Sequence, residues 1–141
     1  MLYLEYLRHT HPCPFCDRPD RVIKSARSAY LTYSLAPYAP YHLLIVPKRH
    51  VESVSKLTAR EFKDMVSLMR VAMRIYAKKH MTDYSFLLRN GKNSGRSVSH
   101  VHMNVVPRHR LGDVDRNSDK RTVLDERHVA RLIEELRILA R

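Results

Sequence analysis

The segment beginning at Thr58 constrains what this chain can fold into more than any other. Thr58-Ala59-Arg60-Glu61 is the Ser/Thr-x-x-Glu arrangement in which a hydroxyl and a carboxylate three residues later cap a helix start reciprocally. Behind it Phe62, Met65, Val66, Met69, Ala72, Met73 and Tyr76 recur at helical spacing, which predicts a long helix with this Met-rich stripe facing a core. The flanking sequence supplies strands. Residues 28–35 carry Tyr30, Leu31, Tyr33 and Leu35. After a turn at Pro37 and Pro40, the run Tyr41-His42-Leu43-Leu44-Ile45-Val46 is apolar and β-branched at its end, and Pro47 stops it. Residues 83–89 and 97–106 read as a third and a fourth strand, paired antiparallel across a polar loop. After a charged, irregular stretch at 108–121, Val129, Leu132, Ile133, Leu136 and Ala140 mark a second amphipathic helix. The predicted class is α+β: a mainly antiparallel sheet covered by a long capped helix and a C-terminal helix.

At 141 residues, 44% of them hydrophobic, the chain is the size of one domain, 1–141, with an N-terminal segment 1–20 and a C-terminal extension 111–141. Three glycines and seven prolines exclude collagen-like or linker-rich composition. No apolar run approaches the roughly 18 residues of a membrane span, and the N-terminus lacks a signal peptide's pattern, so a soluble, cytoplasmic protein with no membrane partner is expected. Lysine and arginine exceed aspartate and glutamate by 26 to 14, a surplus of 12 positive charges. It suits either a phosphate-bearing partner or a plain solvated basic surface. Cys13 and Cys16 are the only cysteines, too few and too close for a disulfide framework, and they suggest a metal knuckle or a redox pair.

The chemistry concentrates in residues 90–106. Gly91 and Gly95 lie in the loop Asn90-Gly91-Lys92-Asn93-Ser94-Gly95-Arg96-Ser97-Val98-Ser99. Glycine permits the backbone angles with which successive N–H groups turn inward on an anion, and the serines add hydroxyl donors. The loop is thus a candidate phosphate cradle, with a simple hairpin turn as the alternative. In the strand that follows, alternate side chains share a face at intervals of about 6.6 Å. His100, His102 and Asn104 therefore point one way, and Val101, Met103 and Val105 the other. A neutral imidazole can attack phosphorus when a hydrogen bond on its other nitrogen fixes the tautomer.

The run His100-Val101-His102-Met103-Asn104-Val105-Val106 resembles the His-φ-His-φ-His-φ-φ signature of the histidine triad family of nucleotide hydrolases and transferases, φ being apolar. The resemblance extends through Cys13-Pro14-Phe15-Cys16, the block from His42 to Val51, the capped helix and the step Gly95-x-Ser97-Val98, covering about residues 3 to 113. Tyr3 to Leu7, Val105-Val106-Pro107-Arg108 and Gly112-Asp113 are also similar to the diadenosine polyphosphate phosphorylase-like branch. That branch often has Trp where this chain has His109.

The resemblance implies that His102 attacks the α-phosphorus and carries the nucleotidyl group, with the backbone carbonyl near His100 holding its other nitrogen. It implies that His42 and Asn104 line the phosphate site, that His100 belongs to the catalytic motif, and that Asn90, Gly95, Arg96 and Ser97 contact substrate phosphates. The substrates implied are dinucleoside polyphosphates or nucleoside phosphoramidates. Two departures modify this. Asn104 stands for the third histidine, leaving an amide in place of a titratable group, as Gln does in the related galactose-1-phosphate uridylyltransferases. Nucleotidyl transfer or phosphorolysis therefore competes with hydrolysis. Arg96 stands where Gln or a small residue is usual and adds a fixed charge that suits polyphosphate. Many bacterial members bind zinc through residues matching Cys13, Cys16, His50 and His100, a chemically reasonable closed site. Family members usually form two-fold dimers, so a homodimer is expected. The alternative outside enzymology is a nucleotide- or nucleic-acid-binding protein whose positive charge supplies affinity.

Overall fold

A computed structural model describes residues 1–9, 13–16, 18–108 and 120–141. Three helices, α1 (Tyr3–His9), α2 (Ala59–Lys78) and α3 (Glu126–Leu139), accompany five strands: β1 (Val22–Ser25), β2 (Ala29–Tyr33), β3 (Leu43–Pro47), β4 (Tyr84–Leu88) and β5 (Met103–Pro107). The strands form one sheet in the order β1-β2-β3-β5-β4, with every neighbouring pair antiparallel. This is the α+β arrangement expected. Neither β1 nor α1 is among the predicted elements, being four and seven residues long with little periodicity to read.

One face of the sheet carries the main core. Leu31, Tyr33, Leu43, Ile45 and Val105 pack there against Met65, Leu68, Ala72, Ile75 and Tyr76 of α2 and Val129, Ile133 and Leu136 of α3. The cap of α2 is the predicted reciprocal box: Thr58 Oγ1 accepts from Glu61 N–H at 3.1 Å, and the Glu61 carboxylate accepts from Thr58 N–H at 3.3 Å. The stripe differs from expectation. Met65, Ala72 and Tyr76 are buried, but Phe62, Val66 and Met73 stand 46%, 52% and 43% exposed. Leu68, Val71 and Ile75 complete the buried side instead. The apolar residues of this helix cover more than half its circumference, and the sheet meets only one side of it.

The opposite face carries a smaller cluster of Tyr3, Phe15, Tyr30, Leu35, Leu44, Val46 and Val98. Here the N-terminal and C-terminal segments meet. Leu2 bridges Thr122, Tyr3 N–H donates to Arg121 O at 3.0 Å, and Val123 N–H to Met1 O at 3.0 Å. No helix among the described residues is long and apolar enough to cross a membrane.

The fourth strand is shorter than predicted, starting at Met103 rather than Ser97. Pro47, which ends β3, has no N–H to donate, and its carbonyl is taken at 2.7 Å by the His100 ring. Residues 97–102 therefore leave the ladder, with Val101 N–H held by Val51 O at 2.8 Å. The alternation of side chains nevertheless survives. Val101, Met103 and Val105 all join the main core, while His100, His102 and Asn104 are buried away from it.

Candidate active site

The loop between β4 and β5 is shaped by two left-handed glycines, Gly91 at φ 93° and Gly95 at φ 84°. A Cβ on Gly95 would stand 3.0 Å from Arg89 Nη1, a tight contact with the end of a flexible side chain, and the positive φ is what disfavours any other residue there. Arg89 crosses the loop and donates from Nη1 to Ser94 O at 2.6 Å. His102, Asn104, Gly95, Arg96 and Ser97 together line one polar cleft.

His102 is the best defined group in it. Its Nδ1 lies 2.9 Å from the carbonyl of His100, which only an Nδ1–H can use, so Nε2 carries the lone pair. Nε2 makes no hydrogen bond to any described residue. The ring packs on Phe15, with centroids 5.0 Å apart. Burial pushes the imidazole down to about 4; the His100 carbonyl opposes this, and the positive charges of Arg121 and Arg96 add to it. At neutral pH the ring is uncharged.

His42 and Asn104 form a second fixed unit. Tyr38 N–H donates to His42 Nδ1 at 3.1 Å, which leaves the proton on Nε2 and directs it to Asn104 Oδ1 at 2.9 Å. The Asn104 amide donates from Nδ2 to Leu87 O at 3.3 Å. Its orientation follows from those two partners, which leave one amide hydrogen for the cleft that Asn104 lines. His42 is fully buried and stacks on Tyr38. Register explains the neighbourhood: Asn104 pairs with Leu44 of β3 on one side and Leu87 of β4 on the other.

The other predicted residues divide. Ser97 Oγ donates to the Tyr3 hydroxyl at 3.3 Å, and Arg96 Nη1 to Glu52 O at 2.7 Å. Asn90 is exposed and its amide oxygen accepts from Val54 N–H at 2.9 Å; it is not among the residues lining the cleft. The His100 ring also lies outside the cleft, so the motif's first histidine reaches His102 only through its backbone carbonyl. His109, Gly112 and Asp113 lie outside the described residues.

The His100 ring belongs instead to a cluster with Cys13, Cys16 and His50, whose ligand atoms all lie within 4.8 Å of one another. Cys13 Sγ and Cys16 Sγ each stand 3.6 Å from His100 Nδ1, and Cys16 Sγ stands 3.4 Å from His50 Nδ1. Neither cysteine is in a disulfide with a described residue. Each imidazole is oriented from behind: His100 Nε2 by Pro47 O, and His50 Nε2 by Glu52 Oε1 at 3.2 Å. These four residues could hold a metal ion.

Six lining residues went unpredicted as site residues: Tyr3, Ser34, Tyr38, Leu44, Arg89 and Arg121. Arg121 comes from the C-terminal extension, where no periodicity or motif marks it. Only the pairing of residues 1–3 with 121–123 brings it here.

Comparison with known proteins adds to this geometry. A family profile described as "HIT domain" matches residues 17–111. A bis(5'-adenosyl)-triphosphatase of Dictyostelium discoideum is 28% identical over 124 residues, covering 87% of this chain and 83% of that protein. A bifunctional bis(5'-adenosyl)-triphosphatase/adenylylsulfatase of Arabidopsis thaliana is 28% identical over 115 residues, 81% of this chain and 63% of that protein. Among solved structures, the diadenosine triphosphate hydrolase of Plasmodium falciparum superposes with a TM-score of 0.71 at 19% identity, over 86% of this chain and 76% of that one. A zinc-bound histidine triad family protein of Mycobacterium smegmatis does so at 0.63 and 20% identity, over 96% and 91%. With the profile covering two thirds of the sequence and the signature stretch His100 to Val106 inside it, the chain belongs to the HIT domain family.

Proposed function

We propose that this protein is a nucleotide hydrolase that cleaves dinucleoside polyphosphates at the α-phosphorus through a nucleotidyl–His102 intermediate. The observation that carries the reading is the His102 ring: its Nδ1 proton is tied to the His100 carbonyl, which leaves the lone pair on Nε2, and the residue lines a cleft together with Arg89, Arg96 and Arg121. The similarity to proteins named bis(5'-adenosyl)-triphosphatase supports the substrate class.

In the first half-reaction Nε2 of His102 bonds to the α-phosphorus as the bond to the bridging oxygen breaks. The rest of the substrate, ADP in the case of diadenosine triphosphate, leaves with that bonding pair as a phosphate anion. The His100 carbonyl stabilises the imidazolium character that develops on the ring. In the second half-reaction a water oxygen bonds to phosphorus, the N–P bond breaks, and the pair returns to Nε2. The water proton goes to solvent or product phosphate, and a nucleoside monophosphate is released. Ser97 and the Asn104 amide donate hydrogen bonds to the phosphoryl oxygens. His42, with Nε2–H on Asn104 Oδ1, keeps that amide from flipping.

One observation favours a second acceptor. Asn104 places no titratable group beside the phosphorus, so attack by water gains no base from that position and inorganic phosphate becomes a competitor. Incubation with diadenosine triphosphate, with and without inorganic phosphate, and separation of the products tests both routes. Hydrolysis gives AMP with ADP, whereas phosphorolysis gives ADP in place of AMP only when phosphate is added. Unchanged substrate in both incubations contradicts the proposal.

The cysteine–histidine cluster reads as a zinc site. Ligands on a tetrahedral zinc, with Zn–S about 2.3 Å and Zn–N about 2.0–2.1 Å, stand about 3.5 Å apart across a sulfur–nitrogen edge. The observed spacings of 3.4 and 3.6 Å fit that edge. Four protein ligands close the site, so zinc would serve as a cross-link and leave no open position for substrate. Two cysteines placed as metal ligands and not as a disulfide suit a reducing cytoplasm. A homodimer is supported by the open edge of β4 and by Phe62, Val66 and Met73 exposed on α2.

A further inference from the structure

We propose that Arg121, delivered by the C-terminal extension, contacts the phosphates beyond the attacked one and makes the cleft selective for polyphosphate leaving groups. This deepens the reading of the cleft as a nucleotide phosphate site and rests on it. Arg121 is built in rather than draped over the surface. Its guanidinium lies over the Tyr38 ring at 4.0 Å and the Tyr3 ring at 4.5 Å, and Nη1 donates to Ala36 O at 3.0 Å. A planar guanidinium held between two aromatic faces keeps its hydrogen-bonding edge in one plane, the geometry that suits bidentate phosphate binding. The segment carrying it is fixed as well, through the pairing of Tyr3 with Arg121 and of Met1 with Val123. Tyr3, from the same pairing, hydrogen bonds Ser97.

Charge matching sets the ligand class. Arg89, Arg96 and Arg121 all line the cleft with His102, and each has its Nη1 anchored on a backbone carbonyl: Ser94, Glu52 and Ala36. A nucleoside phosphodiester or phosphoramidate carries one negative charge at its only phosphate, which a pair of guanidiniums already exceeds. A dinucleoside triphosphate carries one on each phosphate along the chain. Fixed cations cost no reorganisation when the leaving phosphate acquires its extra charge, so they act most strongly on substrates whose leaving group is itself a phosphate.

The test compares wild-type protein with Arg121→Ala and Arg121→Lys on two substrates, diadenosine triphosphate and adenosine 5'-phosphoramidate. Removing one or two charge-assisted hydrogen bonds is expected to lower kcat/KM for the triphosphate about 10- to 100-fold more than for the phosphoramidate. The lysine variant, which keeps the charge and loses the fork, should recover part of that gap. Equal losses on both substrates would mean that Arg121 only holds the fold, and an unchanged ratio would likewise overturn the proposal. Calorimetric binding of ADP against AMP reads the same contact without turnover, and the Arg121 variants should lose the preference for ADP. If wild-type protein turns over neither substrate, the enzymatic reading fails, and the ADP:AMP binding ratio still decides the role of Arg121.

Discussion

At the scale of single residues, the central group is an imidazole whose two nitrogens have different tasks. Its Nδ1–H is held by the His100 carbonyl, and burial keeps the ring uncharged down to about pH 4. In the proposed mechanism the uncharged form is the reactive one, so activity should be retained as pH falls through the ordinary imidazole range near 6.5 and be lost only as pH approaches 4. The pH profile of kcat/KM for diadenosine triphosphate checks this, and an acid limb centred near 6.5 would contradict it. Gly95 gives a second expectation. Gly95→Ala places a side chain at φ 84° and against Arg89 Nη1, so it should cost about 1–3 kcal/mol in a denaturant titration and lower kcat/KM together with it. Stability equal to wild type would show that the loop is not held as described. Much of this was legible in sequence, because two glycines beside an alternating His-x-His-x-Asn run announce a loop and a polar face. Arg121 was not legible, since its place depends on a pairing between the two ends of the chain, and nothing local encodes that.

At the scale of elements, the periodic pieces could be read and the short ones could not. The capping box of α2 and the period of α3 carry their own signals, whereas β1 and α1 are defined by what they pack on. The late start of β5 had a visible cause in Pro47, although the loss of six residues from the ladder also needed the His100 ring to claim its carbonyl. That ring joins the cysteine cluster to the strand that orients His102. Stripping metal with a chelator should therefore lower Tm and slow turnover together, and re-addition of zinc should restore both. The purified protein should contain one zinc per chain by mass spectrometry of the metal. A chelated protein with unchanged Tm would contradict the cross-linking role.

At the scale of the whole molecule, the sheet ends on one side in β4, whose outer edge has no strand beside it among the described residues and whose five residues are all partly exposed. The apolar side of α2 that carries Phe62, Val66 and Met73 is likewise uncovered. The amphipathic pattern marked all three as core-facing, whereas the described residues bury only the other side of the helix. The proposed homodimer would place a second copy over the uncovered side. Sedimentation should give a dimer for the wild-type protein, and Val66→Glu should shift it towards monomer while leaving the α2 core contacts of Met65, Leu68 and Ile75 intact. A wild-type monomer at micromolar concentration would contradict the dimer.

The most direct test of the nucleotidyl–histidine account is to quench a reaction with diadenosine triphosphate in mid-turnover, digest the protein and locate any covalent adenylate by mass spectrometry. The account predicts adenylate on the imidazole of His102 and none in a His102→Ala protein. Turnover with no adduct at His102, or an adduct at another residue, would contradict it.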